Sequence, residues 1–148
     1  MKENYVVSNV TKICTTIALI FDGISVITLT FLIVYFQKLF DLIIEDLNMY
    51  PSNVKNQIME YQDLFRGLVI IGTILSSIFL VINLILFIKL INKKVSLKAA
   101  KRITIYQIIY GVISISGNSI SAILYLISGI SSNTNLRPVI TDSVVEEF

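Results

Sequence analysis

The sequence predicts an all-α integral membrane protein with three transmembrane helices and an outward-projecting amphipathic helical hairpin between the first two. Apolar stretches at Ile13 to Phe36, Leu68 to Ile91 and Ile103 to Ile130 occupy about half of the 148 residues, and Asp22 is the one charged side chain in their interiors. A hydrocarbon core of roughly 30 Å needs about 20 apolar residues in a helix, and each stretch has that length. The composition, 55% hydrophobic against 15% charged, and the mean hydropathy of +0.80 lie outside the soluble range.

The first stretch follows Lys12 near the N-terminus, as a signal peptide would. It is longer than the roughly 7 to 15 residues of a signal core, and bulky Tyr35 and Phe36 stand where small residues would mark cleavage, so it reads as a retained anchor. Cys14 is the single cysteine. It permits no intrachain disulfide and reads as a small residue at a helix contact.

Residues 37 to 65 hold two amphipathic patterns. Leu39, Phe40, Ile43 and Leu47 recur at helical spacing opposite Lys38, Asp41, Glu45 and Asn48, and Val54, Ile58, Tyr61 and Phe65 recur opposite Lys55, Gln62 and Asp63. Tyr50-Pro51-Ser52-Asn53 separates them, with Ser52 or Asn53 available as a cap. Leu39, Ile43, Leu47, Val54, Ile58 and Tyr61 are therefore the expected partner-binding residues.

The second stretch ends in a loop, Lys89 to Arg102, with six cations and no acid. By the positive-inside rule that loop is cytoplasmic. The third stretch would be about 42 Å long as one helix, so it is expected to tilt or kink, with Gly117-Asn118 as the interruption. A hairpin turning there is the alternative, and it would bring the C-terminus inside. Three spans put the N-terminus in, with Lys2 and Lys12, and put the acidic segment 37–65 and the polar tail 131–148 out. The domain plan is a membrane domain, 1–130, followed by that tail as a flexible end or docking peptide.

Small and polar residues share helix faces: Cys14, Ala18, Asp22 and Ser25; Gly72, Ser76 and Asn83; Gly111, Ser114, Gly117 or Asn118, and Ser121. In lipid such faces bring helices together by close approach and interhelical hydrogen bonds. Asp22 lies about 13 Å beyond Ile13 along a helix, near mid-bilayer. No Lys or Arg in a span interior can pair with it, so the neutral, hydrogen-bonding acid is the expected form, with Asn83 and Tyr110 as candidate partners in an intramembrane polar cluster. Structural glue and a proton or cation site are its two readings.

Enzymatic constellations are missing. The chain has no histidine and one cysteine, which removes imidazole bases, Cys-His nucleophiles and CxxC sites, and no phosphate loop occurs. No cofactor or metal is expected, and the basic loop fits lipid headgroups better than nucleic acid. Tyr110 to Ile130, with Gly111-Val112-Ile113-Ser114 and the run from Ser119 to Ile130, resembles the closing segment of small multispanning membrane proteins of unknown function from low-GC Gram-positive bacteria. That resemblance implies a bacterial cytoplasmic membrane and an accessory role, and carries no functional residue across.

The expected function is a non-enzymatic membrane interaction protein, an accessory, sensor or immunity-type subunit. Its partners would be the lipid bilayer and a membrane or extracytoplasmic protein, or further copies of itself. The alternative is an oligomeric pore, holin-like or proton-linked through Asp22.

Overall fold

The structure, a computed structural model, describes residues 5–46 and 51–137. Among the described residues it is all-helical, with four helices: α1 (Asn9–Asp46), α2 (Ser52–Ile91), α3 (Leu97–Ser114) and α4 (Ser119–Asn135). Two of them, α1 and α2, are long and apolar enough to cross a membrane. The chain divides into two compact units, Met1–Phe21 with Ile82–Phe148, and Asp22–Val81.

The ends of the helices follow from local chemistry. Ser8 caps α1, its Oγ accepting from Thr11 N at 3.1 Å. The first bonds of α2 go to the Pro51 carbonyl, from Val54 N and Lys55 N at 3.0 and 3.2 Å, so proline holds the cap position expected of Ser52 or Asn53. At the other end of α2, Lys94 N donates to Lys89 O and Lys93 N to Leu90 O, with Lys93 left-handed at φ 51°. This is the Schellman arrangement, occupied by lysine where glycine or asparagine is usual. Ser96 then caps α3 through Ala99 N.

The third apolar stretch departs from expectation. It is not one kinked helix of a three-helix protein, because α3 stops at Ser114 and α4 starts at Ser119. Asn118 accounts for the break: its N–H donates back to Ser114 O at 2.9 Å, closing α3. Its side chain accepts from Ser121 N at 3.3 Å, opening α4. The tail also begins later than Ser131, since α4 runs to Asn135 and Leu136 is buried.

α3 and α4 lie antiparallel and very close. A Cβ on Gly111 would come within 2.8 Å of Ala122 O, and one on Gly129 within 2.6 Å of Ile108 Cγ1 and 2.9 Å of Thr104 O. The backbones approach as they do because these positions have no side chain. Hydrogen bonds from α1 to α4 join Ser8 to Ser131 and Ser121 to Ala18, so these two helices also run antiparallel. At one end of this unit Tyr5, Val7, Leu90, Ala100, Ile103 and Leu136 form a buried cluster. The start of α1, the end of α2, the start of α3 and the end of α4 therefore meet there. Tyr5 ties it with a hydrogen bond to Leu90 O at 3.1 Å, and burial pushes its phenol pKa up, which keeps it a donor.

The glycine contacts make a direct prediction. Gly129→Ala should destabilise the protein by about 1–3 kcal/mol through overpacking. Gly72→Ala, where nothing lies within 4 Å, should be neutral or slightly stabilising. Thermal unfolding in detergent micelles compares the two, and equal melting temperatures would refute the close approach.

Candidate functional site

Within the unit formed by the start of α1, the end of α2, α3 and α4, many of the buried side chains are polar. Thr11, Thr15, Ser121 and Ser128 are fully buried and Ser132 and Gln107 nearly so. Thr11 and Thr15 lie one turn apart on α1, and Ser121, Ser128 and Ser132 recur at seven and four residues on α4, so each set forms one stripe. The stripes face each other.

The resulting seam is continuous at the end near Tyr5. Ser8 Oγ pairs with Ser131 Oγ at 3.0 Å and with Thr11 Oγ1 at 3.2 Å. Thr11 Oγ1 pairs with Ser132 Oγ at 2.7 Å and donates to Ser128 O at 3.3 Å. One turn further, Thr15 Oγ1 pairs with Ser128 Oγ at 2.6 Å, and Gln107 of α3 joins them, Nε2 donating to Thr15 at 3.3 Å and Oε1 accepting from Ser128 at 3.4 Å. Ser121 Oγ donates to Ala18 O, at 3.3 Å. Every member has a partner, as buried polar groups must.

A second polar point joins α2 to α3. Tyr106 OH donates to Asn83 Oδ1 at 3.0 Å, and Tyr106 stacks on Tyr110, which meets Tyr125 edge-on at 5.1 Å. Asn83 is 4% exposed and its Nδ2 has no hydrogen-bond partner in the structure. Asn83 and Tyr110 were both expected as partners of Asp22; here Asn83 bonds Tyr106, and Tyr110 is the ring between Tyr106 and Tyr125.

Asp22 belongs to the other unit. It is buried at 8% exposure on the same α1 face as Thr11, Thr15 and Ala18, and it has a bonding interaction. Of its expected companions, Cys14 and Ser25 are half-buried. In this unit Phe36 of α1 meets Phe65 of α2 at 4.8 Å and Phe40 at 4.6 Å. An apolar groove of about 450 Å³ runs along α1 past Val26, Thr30, Phe31, Val34 and Tyr35 to Lys38. Among the expected partner-binding residues, Leu39, Ile43 and Tyr61 are exposed at 57%, 42% and 73%, and Val54 and Ile58 are half-buried. Leu47 lies outside the described residues.

The outward faces of α3 and α4 are apolar. On α4, Ile120, Ile123, Ile127 and Ile130 are each about half exposed, while Ser121, Ser128 and Ser132 face inward; on α3, Ile105, Ile109, Val112 and Ile113 point outward. A stripe of that kind needs an apolar environment to cover it. Sequence reading had found Ala18, Asp22, Gly111 and Ser121. It passed over Thr11, Thr15, Gln107, Tyr106, Ser128 and Ser132, although the Thr11/Thr15 and Ser121/Ser128/Ser132 spacings were visible. Comparison with family models, with curated proteins and with solved structures finds no match.

Two replacements of Asp22 decide between adhesive and ionic roles. Asn retains hydrogen bonding without charge; Leu removes both, and interhelical hydrogen bonds in membranes average about 0.6 kcal/mol. The expected outcome is a nearly silent Asp22→Asn and a mildly destabilised Asp22→Leu in unfolding and abundance measurements. An abundant, folded and inactive Asn variant would establish an ionic role instead.

Proposed function

We propose that the chain is a non-enzymatic integral membrane protein that crosses the bilayer with α1 and α2 and contacts a partner protein through their outer parts, as an accessory, sensor or immunity-type subunit. The observation that carries this reading is the length and apolar exterior of α1 and α2, with Ile20, Ile24, Ile27, Ile71, Ile74 and Ile78 each about half exposed. At 38 and 40 residues, α1 and α2 would be about 57 and 60 Å long, longer than the roughly 40–45 Å of a whole bilayer. Set with Lys12 and Lys89 at one headgroup layer, they clear the roughly 30 Å hydrocarbon core, so that residues 37–46 and 52–65 lie in or beyond the opposite headgroup layer.

The α3–α4 pair supports a topology different from three spans. From Ile103 to Ser114 the apolar part of α3 is about 18 Å long, short of the hydrocarbon thickness. The pair reads as an inserted hairpin that enters from the basic side, turns at residues 115–118 and returns. Tyr5, Leu90 and Leu136 share one cluster, so the N-terminus, the basic loop and residue 137 all fall on the cytoplasmic side by the positive-inside rule. On this reading the chain leaves residue 137 on the cytoplasmic side.

The partner surface is the apolar strip of α1 that runs from the span groove past Lys38 to Leu39, Leu42 and Ile43, with Tyr61 and Leu64 of α2 also exposed. Because the strip continues out of the span without interruption, its occupant is an apolar helix of a membrane protein that leaves the bilayer alongside it.

Cysteine labelling in a Cys14→Ser background checks the topology. With an impermeant reagent on intact cells, a cysteine replacing Ser52 should react, and ones replacing Ser96 and Asn135 should be protected. Labelling at Asn135 alone of the latter pair would restore three spans. For the partner surface, Ile43→Asp and Tyr61→Asp should abolish complex formation while the protein stays inserted and abundant. Loss of the protein from the membrane would mean that the strip serves only folding.

A further inference from the structure

The described residues of the four-helix unit include no Asp or Glu. They include Lys12, Arg137 and the six cations from Lys89 to Arg102, and all of these are exposed. The fold brings them to one end. Lys89, Lys101, Arg102 and Arg137 are direct sequence neighbours of Leu90, Ala100, Ile103 and Leu136, which are packed together in the Tyr5 cluster. Lys12 follows Thr11, which is bonded to Ser132 four residues before Leu136. The cations thus form a collar around a buried apolar plug.

That collar repels itself. Lys98, Lys101 and Arg102 occupy the first two turns of α3, at the positive end of its dipole and at mutual spacings of three and four residues, both unfavourable for like charges. The turn at Lys93 and Lys94 adds two more. No acidic side chain of this unit's described residues is present to offset them. Just beyond the collar the surface becomes apolar, with Ile13, Ile88 and Ile105 exposed at 58%, 45% and 49%. Cations at the rim of an apolar exterior match one kind of surface, a layer of phosphates above acyl chains.

We propose that this end of the protein is a docking surface for anionic phospholipid headgroups, which supply the counter-charge that the unit's described residues lack. The proposal rests on the membrane reading above. The rival occupant is the chain's own segment 138–148, with Asp142, Glu146 and Glu147; three acids neutralise fewer than half of the collar's charges, so lipid is favoured. Each cation held at an anionic surface raises affinity by about five-fold, and salt screens the effect.

The test uses the full chain purified in neutral detergent, with phosphatidylglycerol and phosphatidylcholine offered in equal amounts and the retained lipid measured by native mass spectrometry. We expect at least a ten-fold preference for phosphatidylglycerol, lost in 0.5 M NaCl and in the Lys93→Gln, Lys94→Gln, Lys98→Gln, Lys101→Gln variant, and kept in Lys55→Gln. Equal retention of the two lipids overturns the proposal. So does full displacement by millimolar inorganic phosphate, which would mark a soluble-anion site, or a preference that appears only after deletion of 138–148, which would make the tail the occupant. Resistance of parent and variant to alkaline carbonate extraction is measured alongside. If it holds while lipid preference fails, the collar assignment falls and the membrane reading stands; if it fails, the membrane reading falls first.

Discussion

The packing of the four-helix unit depends on hydroxyls that face one another across α1 and α4. Thr15 and Ser128, 2.6 Å apart, and Thr11 and Ser132, 2.7 Å apart, leave no room for large side chains between the helices. Where the exterior is apolar, burying more carbon drives nothing together. Small residues and interhelical hydrogen bonds take over that role. Gln107 extends the arrangement to α3, and Gly111 and Gly129 let α3 and α4 touch backbone to side chain, so three helices are specified by one consistent rule. Each hydrogen bond contributes little alone. A seam with every member satisfied is nevertheless selective, because a shift in register would strand several buried polar atoms at once, each at about 1–3 kcal/mol.

That seam decides the direction of the last helix. An α4 that pairs its serines with Thr11 and Thr15 must return toward the start of α1, and Leu136 then packs on Leu90 and Ala100 with Tyr5 above them. The short turn at Asn118 makes the return possible because one residue ends α3 with its backbone and begins α4 with its side chain. Charge sorting follows from the same geometry. Bringing Tyr5 and Leu136 beside the loop after α2 collects the cations at one pole, where the described residues of the unit supply no acidic side chain.

The residues from Asp22 to Val81 follow a different logic. Their two helices are longer than an apolar layer requires, and the polar-inside pattern gives way to aromatic contacts, Phe36 with Phe40 and Phe65. Exposed Leu39, Leu42, Tyr61 and Leu64 remain on these helices.

The amino-acid sequence by itself determined the helical class, the two long apolar helices and the sorting of charge, because each depends on local properties: run length, 3.6-residue periodicity and net charge per segment. It also marked Ala18, Asp22, Gly111 and Ser121 as interior. Tertiary structure alone decided that residues 103–130 fold as two helices, that Tyr106 bonds Asn83, and that Thr11, Thr15, Gln107, Ser128 and Ser132 share one seam. A threonine or serine in an apolar run can bond its own preceding turn, as Thr16, Thr73 and Ser77 do. Only the approach of a second helix reveals which hydroxyls turn outward to pair. The break at Gly117-Asn118 was visible, but whether it kinks a helix or reverses it depends on whether the two halves can pack. That was settled by glycines at positions 111 and 129, eighteen residues apart in sequence and on opposite sides of the turn.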